Sequence, residues 1–410
     1  MSLIADLKSL DAPQRSAIWA SYLGWTLDAF DYFLLTFMLG AIAKEFHTDI
    51  KAVTVAIMLT LAARPIGAFC FGWLAERFGR RPVLMADIIL FSIFEFASGF
   101  APSLTSLLVL RFLFGIAMGG EWGLGASLAM ESIPARLRGP VSGLLQSGYP
   151  SGYFVASIVY FALFDTIGWR GMFMVGVAPA LLVLLIRIHV KESPVFEEQR
   201  KARLNPVTEL LRYWKTALYM IVLMAAFNAF SHGTQDLYPT FLQQQHHFDT
   251  HTTGILTAIM NLGAIVGGIA FGIWSERIGR KRAIIVASLL ALPILPLWAF
   301  TSTPLLLAVG AFLMQVAVQG AWGIVPVHLN ELSPPAARAL FPGFAYQLGN
   351  LIMSRNGVFQ AQIAESHGND YGLALAIVGG AMAVVIAVWT VVGPERNHAD
   401  FMADARSTHE

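Results

Sequence analysis

Apolar residues gather into twelve long stretches, each interrupted by only a few polar positions. A helix that spans a bilayer needs about 20 mostly apolar residues, and every stretch reaches that length. Apolar and polar residues do not alternate within them, which disfavours a membrane β-barrel. The pattern therefore predicts an all-α polytopic membrane protein with twelve transmembrane helices. These helices are predicted at residues 17–40, 51–75, 82–101, 104–130, 138–163, 170–190, 215–243, 252–275, 281–301, 304–330, 339–364 and 371–393.

The composition agrees with this prediction. Of 410 residues, 56% are hydrophobic and 13% are charged, whereas soluble domains carry about 25% charged residues. An ordinary soluble enzyme and a disordered protein are thereby excluded, and the net charge of +1 gives no basic surface for nucleic acid. The single cysteine, Cys70, excludes a disulfide framework. The first stretch lacks the parts of a signal peptide.

Basic residues predict how the chain is oriented. If the N-terminus is cytoplasmic, the tails, the cytoplasmic loops and the helix ends that border them hold 21 of the 27 Lys and Arg residues. The outer loops hold only Lys44, Lys51 and Arg170. Cytoplasmic loops of membrane proteins carry this excess of positive charge. We therefore expect a multi-pass protein of the plasma membrane (the cell inner membrane), with both termini cytoplasmic.

The two halves of the chain repeat each other at an offset of 200 residues, on either side of a charged connection at 191–214. An even number of helices per half makes the repeats parallel, related by an axis along the membrane normal. We predict an N-terminal six-helix bundle at 1–190, a cytoplasmic linker at 191–214, a C-terminal six-helix bundle at 215–395 and a cytoplasmic tail at 396–410. The recurring residues include Gly72, Glu76, Arg77, Gly79 and Arg80, which return as Gly272, Glu276, Arg277, Gly279 and Arg280, and Glu131, Pro134 and Arg138, which return as Glu331, Pro334 and Arg338.

The segments GWLAERFGRRP (72–82) and GIWSERIGRKR (272–282) resemble the paired loop motif of the major facilitator superfamily, with Glu in place of the usual Asp. The resemblance covers the whole chain and implies two pseudo-symmetric bundles around a central path, working by alternating access. The charged loops are interpreted as a latch that closes the cytoplasmic ends, or alternatively as orientation signals and surface charge. The candidate latch residues are Gly72, Glu76, Arg77, Arg80, Glu131, Glu276, Arg277 and Arg280.

Ionisable residues inside the predicted helices are few. Each costs at least about 2.5–3.5 kcal/mol to insert, which makes it a functional candidate. Asp28 and Asp31 share one face of helix 1, and both are candidate proton-coupling groups together with Glu121 of helix 4. Away from the helix ends, the candidates are Asp28, Asp31, Arg64, Asp87, Glu95, Arg111, Glu121, His232, Asp236, His328 and Arg355.

Helix 7 carries a polar stripe in which Asn228, His232 and Asp236 follow one another at single-turn spacing. A histidine and a carboxylate at this spacing can share a proton and release it near neutral pH. A structural polar pair between helices is the alternative. A metal site is disfavoured because zinc usually takes three or four ligands and only two are in view.

The same stripe resembles the pattern N-x-x-[S/T]-H-x-[S/T]-Q-D-x-x-x-T of the fungal lactate/pyruvate permeases, which belong with the sialate:proton symporters. Every fixed position is matched in this chain. The resemblance implies proton-coupled uptake of a carboxylate. It also implies substrate-path and proton-coupling roles for Asn228, Ser231, His232, Thr234, Gln235, Asp236 and Thr240.

Arginine is the natural anchor for the substrate, since its planar fork matches a carboxylate. Arg64 lies near mid-membrane and is the first candidate, and Arg355 is the second. Tyr346 and Gln347 are expected beside them in the path. In the empty protein we expect Arg64 to pair with an acidic side chain that the substrate displaces. The alternatives are a permanent ion pair for Arg64 and a helix-to-helix pair for Arg355.

Taken together, the sequence predicts a monomeric proton symporter of a short monocarboxylate such as lactate or pyruvate, with no cofactor other than the proton. Its partners are the small carboxylate, the proton and the lipid bilayer. Sialic acid or another organic acid, such as an aromatic acid, is the alternative substrate. A polytopic membrane enzyme and a transport-dead receptor are the alternatives of other classes. The enzyme is disfavoured because no nucleophile or third ligand stands beside His232 and Asp236.

Overall fold

The computed structural model describes residues 6, 8–188, 190–200 and 205–406, and every regular element in these ranges is helical. Part of the predicted linker, including Lys201 and Arg203, lies outside the described residues. The two ends of the chain lie outside them as well. The chain forms two sets of six helices in the predicted order. Residues near both ends of the described chain lie at one face, since Asp6 lies 3.1 Å from Arg136 and Phe401 packs on Arg138. We call this the inner face.

The N-terminal half begins with three unbroken helices and continues with three that bend or break. Helix α1 is Ala12–Glu45, α2 is Ile50–Phe78 and α3 is Arg80–Ser98. Helix α4 has two segments, Leu104–Met118 and Glu121–Ser132. Helix α5 begins as Arg138–Gln146. It continues into Gly148–Ile188, which turns sharply at Gly168 (φ 62°, ψ −177°), and the part after this turn is α6.

The C-terminal half follows the same plan. Helix α7 is Trp214–Gln235, extended by Tyr238–Thr240 and a π-helical turn at Phe241–Gln245. Helix α8 is Thr250–Ile278 and α9 is Arg280–Ala299. Helix α10 consists of Pro304–Trp322 and Val325–Leu332, and α11 of Phe341–Ile352 and Asn356–Ser366. Helix α12 is Tyr371–Val392. The start of α8 and of α9 lies 200 residues after the start of α2 and of α3, which is the offset of the sequence repeat.

Within the described ranges, nine helices are long and apolar enough to cross a membrane when each is judged alone. The other predicted spans differ for local reasons. Residues 135–177 join α5 to α6 in one continuous helix, so two crossings are found as one. Helix α3 opens with two arginines, and α11 is divided by a break. All twelve predicted stretches therefore have a helical counterpart.

The tight turns between α2 and α3 and between α8 and α9 are built alike. Gly79 and Gly279 adopt φ values of 109° and 92°, which side chains other than glycine rarely tolerate. The carboxylate of Glu192 accepts hydrogen bonds from the backbone N–H groups of Arg80 and Arg81 at 3.0 and 3.1 Å. Glu395 accepts one from Lys281 at 3.2 Å. Each turn is thus capped by an acidic residue that follows the last helix of its own half.

The two halves meet closely at the inner face. Helix α5 packs on α8, and α2 packs on α11. A Cβ atom on Gly123 would lie 2.6 Å from the Cα of Gly343, so the two backbones nearly touch. Ser142 Oγ donates a hydrogen bond to the carbonyl of Gly323 at 2.6 Å and accepts one from Val327 N–H at 3.1 Å. These contacts close the inner end of the path between the halves.

Candidate functional site

A cavity lies between the two halves near the middle of the helices, and each half supplies seven of its lining side chains. The empty space between them is about 520 Å³, counting the part that is open to solvent. The N-terminal half contributes Trp25, Asp28, Tyr32, Leu61, Arg64, Gln146 and Tyr149, and the C-terminal half contributes Asn228, Ser231, His232, Gln319, Trp322, Tyr346 and Asn350.

The cavity contains a buried ion pair between Asp28 of α1 and Arg64 of α2. Arg64 Nη2 donates to Asp28 Oδ1 at 2.5 Å, and the two side chains are 6% and 3% exposed. Arg64 Nε and Asp28 Oδ2 have no hydrogen-bond partner within the described ranges. Each member therefore keeps unused hydrogen-bonding capacity while it lines the cavity. The pairing of Arg64 with an acidic side chain was predicted, and this geometry fits both a pair that substrate displaces and a permanent ion pair.

A second buried cluster lies one turn further along α1, inside the N-terminal half. Arg111 Nη2 lies 2.7 Å from Glu95 Oε2 and 2.8 Å from Ser98 Oγ, and its guanidinium lies 4.1 Å from the centre of the Phe114 ring. Asp31 is 1% exposed, and neither of its carboxylate oxygens has a hydrogen-bond partner among the described residues. Asp31 and Glu95 both border Gly176, so the carboxyl groups of Asp31 and Glu95 lie near the single guanidinium of Arg111. A proton on one of them makes the cluster neutral.

The polar stripe of α7 borders the cavity from the other half. His232 Nδ1 lies 3.2 Å from Asp236 Oδ2, and these side chains are 34% and 50% exposed. His232 lines the cavity, whereas Asp236 lies one turn further out. The pair thus connects the cavity to the more open outer side. In the described part of the chain, no group of three or more His, Cys, Asp or Glu side chains is arranged to hold a metal ion.

Amide side chains hold the inner part of the stripe in place. Ser231 Oγ accepts a hydrogen bond from Gln319 Nε2 at 3.1 Å and from Gln235 Nε2 at 3.2 Å. Gln235 also donates to Gln315 Oε1 at 2.9 Å. Asn228 Nδ2 lies 3.5 Å from the carbonyl oxygen of Tyr346. Helices α7, α10 and α11 are therefore tied together around a polar wall.

Aromatic rings form the floor of the cavity. The centre of the Tyr346 ring lies 4.7 Å from that of Trp122, 5.7 Å from that of Trp322 and 6.0 Å from that of Trp25. Trp25 also lies 5.6 Å from Tyr149. These rings join the inner halves of both bundles and separate the cavity from the inner face.

The structure brings together Asp28, Arg64, Asn228, Ser231, His232 and Tyr346 of the predicted site residues. Gln235 and Gln347 lie behind the cavity wall, where Gln347 Oε1 accepts a hydrogen bond from Asn350 at 3.2 Å. Asp31 lies in the cluster with Glu95 and Arg111, and Glu121 is buried at the start of the second segment of α4.

Arg355 was expected in the path and is not there. It lies at the break between the two segments of α11, is exposed, and does not line the cavity. The exposed side chains of Ile352 and Phe359 flank it on the same helix. The break ends the regular 3.6-residue repeat, so the face assigned to Arg355 from the sequence was wrong.

Sequence reasoning also missed four lining residues, which are Trp25, Tyr32, Leu61 and Trp322. A signal for two of them was present, because Trp25, Asp28 and Tyr32 follow the i, i+3, i+7 spacing of one helix face. For Trp322 the signal was its repeat relation to Trp122, 200 residues earlier.

At the inner face, Arg80 is fully buried between two carboxylates of its own half. Its Nη1 lies 2.9 Å from Glu76 Oε2, and its Nη2 lies 3.1 Å from Glu131 Oε1. Glu76 then reaches the other half, since its Oε1 accepts a hydrogen bond from the backbone N–H of Ala339 at 2.5 Å. The arginine holds the carboxylate, and the carboxylate makes the link between the halves.

The second copy repeats this arrangement. Arg280 lies 2.8 Å from Glu276 Oε1 and 3.0 Å from Glu331 Oε2. Glu276 Oε1 accepts a hydrogen bond from the backbone N–H of Gly139 at 2.6 Å. The two links cross the interface in opposite senses, as the pseudo-two-fold relation requires.

Two expected latch residues form no ion pair with the described residues. Arg77 and Arg277 are exposed, and Arg77 lies over the rings of Trp73 and Phe78 at 5.7 and 5.6 Å. Arg77 lines a surface cavity together with Glu76 of its own half and Ala336 of the other half, so a latch role for Arg77 and Arg277 stays a prediction. Gly72, by contrast, lies directly against Leu340 of the other half.

Comparison with known proteins agrees with this architecture. Residues 21–249 and 221–403 match the model of the Major Facilitator Superfamily. The chain is similar to a carboxylic acid transporter protein homolog of Saccharomyces cerevisiae, with 27% identity over 97% of the chain and 71% of the relative. It is 32% identical to a probable 4-methylmuconolactone transporter of Cupriavidus pinatubonensis, over 95% of the chain and 92% of the relative.

Among solved structures, the proton:xylose symporter XylE superposes with a TM-score of 0.78 at 19% identity, covering 97% of this chain and 99% of that one. This similarity establishes the twelve-helix fold. The chain therefore belongs to the Major Facilitator Superfamily and is a multi-pass membrane transporter rather than an enzyme.

Proposed function

We propose that the protein is a proton-coupled symporter of a small organic carboxylate, of the lactate or pyruvate type. The observation that supports this most is the buried Arg64 beside Asp28 in a cavity between the halves. The similarity to a carboxylic acid transporter homolog supports the same class of substrate. The pattern of α7, from Asn228 to Thr240, supports a monocarboxylate.

In the proposed binding step, the substrate carboxylate takes N–H donors of Arg64 that Asp28 leaves unused. A guanidinium has five donors, and Asp28 engages Nη2 alone. As the substrate binds, the pair with Asp28 loosens. Asn228, Ser231 and Gln319 lie on the opposite wall and are placed to contact the remaining oxygen atoms of the substrate.

Two sites are proposed to carry the coupling proton. Asp31 shares the field of Arg111 with Glu95, so protonation of Asp31 removes a buried negative charge from that cluster. His232 and Asp236 lie at the outer side of the cavity and are placed to receive a proton from outside. Glu121 is a further candidate in the N-terminal half.

Alternating access then follows from the closed inner face. The links of Glu76 to Ala339 and of Glu276 to Gly139 hold the inner ends together in this conformation. After substrate and proton have bound, these links break and the halves rock about the cavity. We further propose that the protein works as a monomer in the plasma membrane, with its inner face in the cytoplasm.

A larger ring-shaped or unsaturated acid, such as an aromatic acid or sialic acid, is the second candidate substrate. The aromatic walls favour it, since Trp25, Tyr149, Trp322 and Tyr346 offer ring faces to the cavity. The similarity to a 4-methylmuconolactone transporter supports the same idea.

The deciding experiment is uptake by proteoliposomes that contain the purified protein. Radiolabelled lactate, pyruvate, benzoate and sialic acid are compared, with the outside either acidic or at the pH of the lumen. We expect at least one of these acids to accumulate faster when the outside is acidic, with no response to a sodium gradient. Uptake that follows sodium and ignores the proton gradient would falsify proton symport. Uptake of none of the acids would overturn the substrate class.

A further inference from the structure

The tail that follows α12 is folded onto the inner face. Its helix Phe401–Arg406 buries Phe401 and Ala405, which are 1% and 0% exposed, and packs against the linker helix Pro194–Gln199. The sequence analysis expected only a cytoplasmic tail here. Nothing in the short polar stretch indicates a docking partner.

Phe401 lies between two arginines that are repeat equivalents. The guanidinium carbon of Arg138 lies 3.5 Å from the centre of the Phe401 ring, and that of Arg338 lies 3.8 Å from it. Arg138 belongs to the N-terminal half and Arg338 to the C-terminal half. One aromatic ring thus contacts the corresponding cation of both bundles.

Hydrogen bonds and ion-pair contacts hold the tail in the same place. Arg138 Nη1 donates to the carbonyl oxygen of Ala399 at 2.6 Å. On the other side, Asp404 lies 3.4 Å from Arg338 and 2.9 Å from Arg396. His398 Nδ1 lies 3.3 Å from Glu276 Oε2, the same carboxylate that links the halves through Gly139.

The two arginines are buried where the tail contacts them. Arg138 and Arg338 are 4% and 0% exposed, and burial lowers the pKa of the Arg338 guanidinium to about 10. Without the tail, the positive charges of Arg138 and Arg338 would lie at the interface between the halves with no aromatic ring between them. Because the tail is continuous with α12, its bonds to Arg338 and Glu276 stay within one half. Among the described residues, its contacts with Arg138 reach the N-terminal half directly, and its helix also packs on the linker helix Pro194–Gln199.

We propose that the C-terminal segment from Asn397 to Arg406 is a strap that holds the inner face closed by gripping Arg138. Opening of the inner face moves Arg138 away from the C-terminal half. The contact of Arg138 with the Phe401 ring and its hydrogen bond to the carbonyl of Ala399 must therefore break. The strap therefore sets the balance between the conformation described here and the one open to the inner face.

The test measures distances between spin labels by double electron–electron resonance, in lipid nanodiscs and without substrate. Labels are placed at the exposed inner ends of α2 and α8 through Arg77→Cys and Arg277→Cys, with Cys70→Ser. We expect Phe401→Ala to add a longer distance and to lower the ratio of closed to open inner face about tenfold, as loss of a desolvated cation–π contact implies. Phe401→Tyr keeps the ring and should keep the parent distribution.

Arg138→Met removes the partner in the other half and supplies a second, independent arm. It should shift the distances in the same direction, and the double variant with Phe401→Ala should shift them no further than either single variant. Unchanged distances in folded Phe401→Ala and Arg138→Met proteins would overturn the strap, as would an equal shift in Phe401→Tyr. Because no substrate is used, the result does not depend on the proposed cargo.

Discussion

The pair formed by Arg64 and Asp28 gives the sharpest test of the binding step. Replacing Arg64 with Lys keeps the charge but removes the planar fork of N–H donors. Replacing both members, as Arg64→Gln with Asp28→Asn, removes the pair without leaving a lone buried charge. Removing only the arginine would leave Asp28 uncompensated at 3% exposure, at a cost of about 3–5 kcal/mol of stability, and would confuse folding with transport.

The size of the expected effect follows from the bond that is lost. A hydrogen bond between charged groups contributes about 1.5–3 kcal/mol, which corresponds to about a 10- to 150-fold loss in substrate affinity. We expect Arg64→Lys to fall in the lower part of this range and the double variant in the upper part. The measurement is substrate Kd by isothermal titration calorimetry, with KM for proton-driven uptake measured in parallel.

Arg355→Gln is the matched control, since it removes an arginine from the membrane region without touching the cavity. Its Kd should stay within about twofold of the parent protein, the range typical of surface substitutions. The reasoning is refuted if the variants at Arg64 bind the substrate as tightly as the parent, or if Arg355→Gln weakens binding as much as they do.

Three further predictions concern the proton and the inner face. Asp31→Asn should retain exchange of labelled for unlabelled substrate but lose the acceleration by acidic outside pH; pH-driven uptake equal to the parent would exclude Asp31 as a coupling group. His232→Gln should flatten the rise of uptake toward acidic pH, measured as initial rates over a range of pH. An unchanged profile would exclude His232 as a coupling group and leave the Asp31 cluster as the proton site. Gly143→Ala should slow transport and favour the state open to the inner face, because the added methyl overlaps the carbonyl of Gly268; spin-label distances check this. Gly357→Ala, which has no atom within 4 Å of the added methyl, should change neither the distances nor the rate.

Much of the fold was predictable because the membrane restricts the options. Long apolar stretches must be helices in a bilayer, and the 200-residue repeat fixes the relation of the halves. The pairing of Arg64 with an acidic group could be anticipated for the same reason, since an unpaired charge at mid-membrane is too costly. Asp28 stands at a similar depth on the neighbouring helix.

The parts that could not be predicted depend on rotation about helix axes and on packing between distant segments. Helix α1 is apolar on most sides, so the sequence does not show that Asp28 and Asp31 face different neighbours. They share one side of the helix, yet Asp28 lines the cavity and Asp31 faces Glu95 and Arg111. The break in α11 displaced Arg355, and the docking of Phe401 depends on a cleft that exists only after both halves have folded.

The repeat has a consequence for how such a protein can change. The charges buried inside the membrane-spanning part of the N-terminal half, unlike those at the inner face, have no charged counterpart 200 residues later. Asp28, Asp31, Arg64, Glu95, Arg111 and Glu121 correspond to Asn228, Ser231, Ala264, Leu295, Ala311 and Ala321. One copy thus keeps the costly electrostatics, while the other presents amides, hydroxyl groups and rings to the same cavity.

Exchanging an uncharged side chain avoids the insertion penalty of about 2.5–3.5 kcal/mol that each buried charge carries. Substitutions in the C-terminal copy can therefore alter substrate selectivity with a smaller free-energy penalty for membrane insertion. A lineage with this architecture can acquire a new cargo through mutations in one gene half, while the charged machinery of the other half is inherited intact.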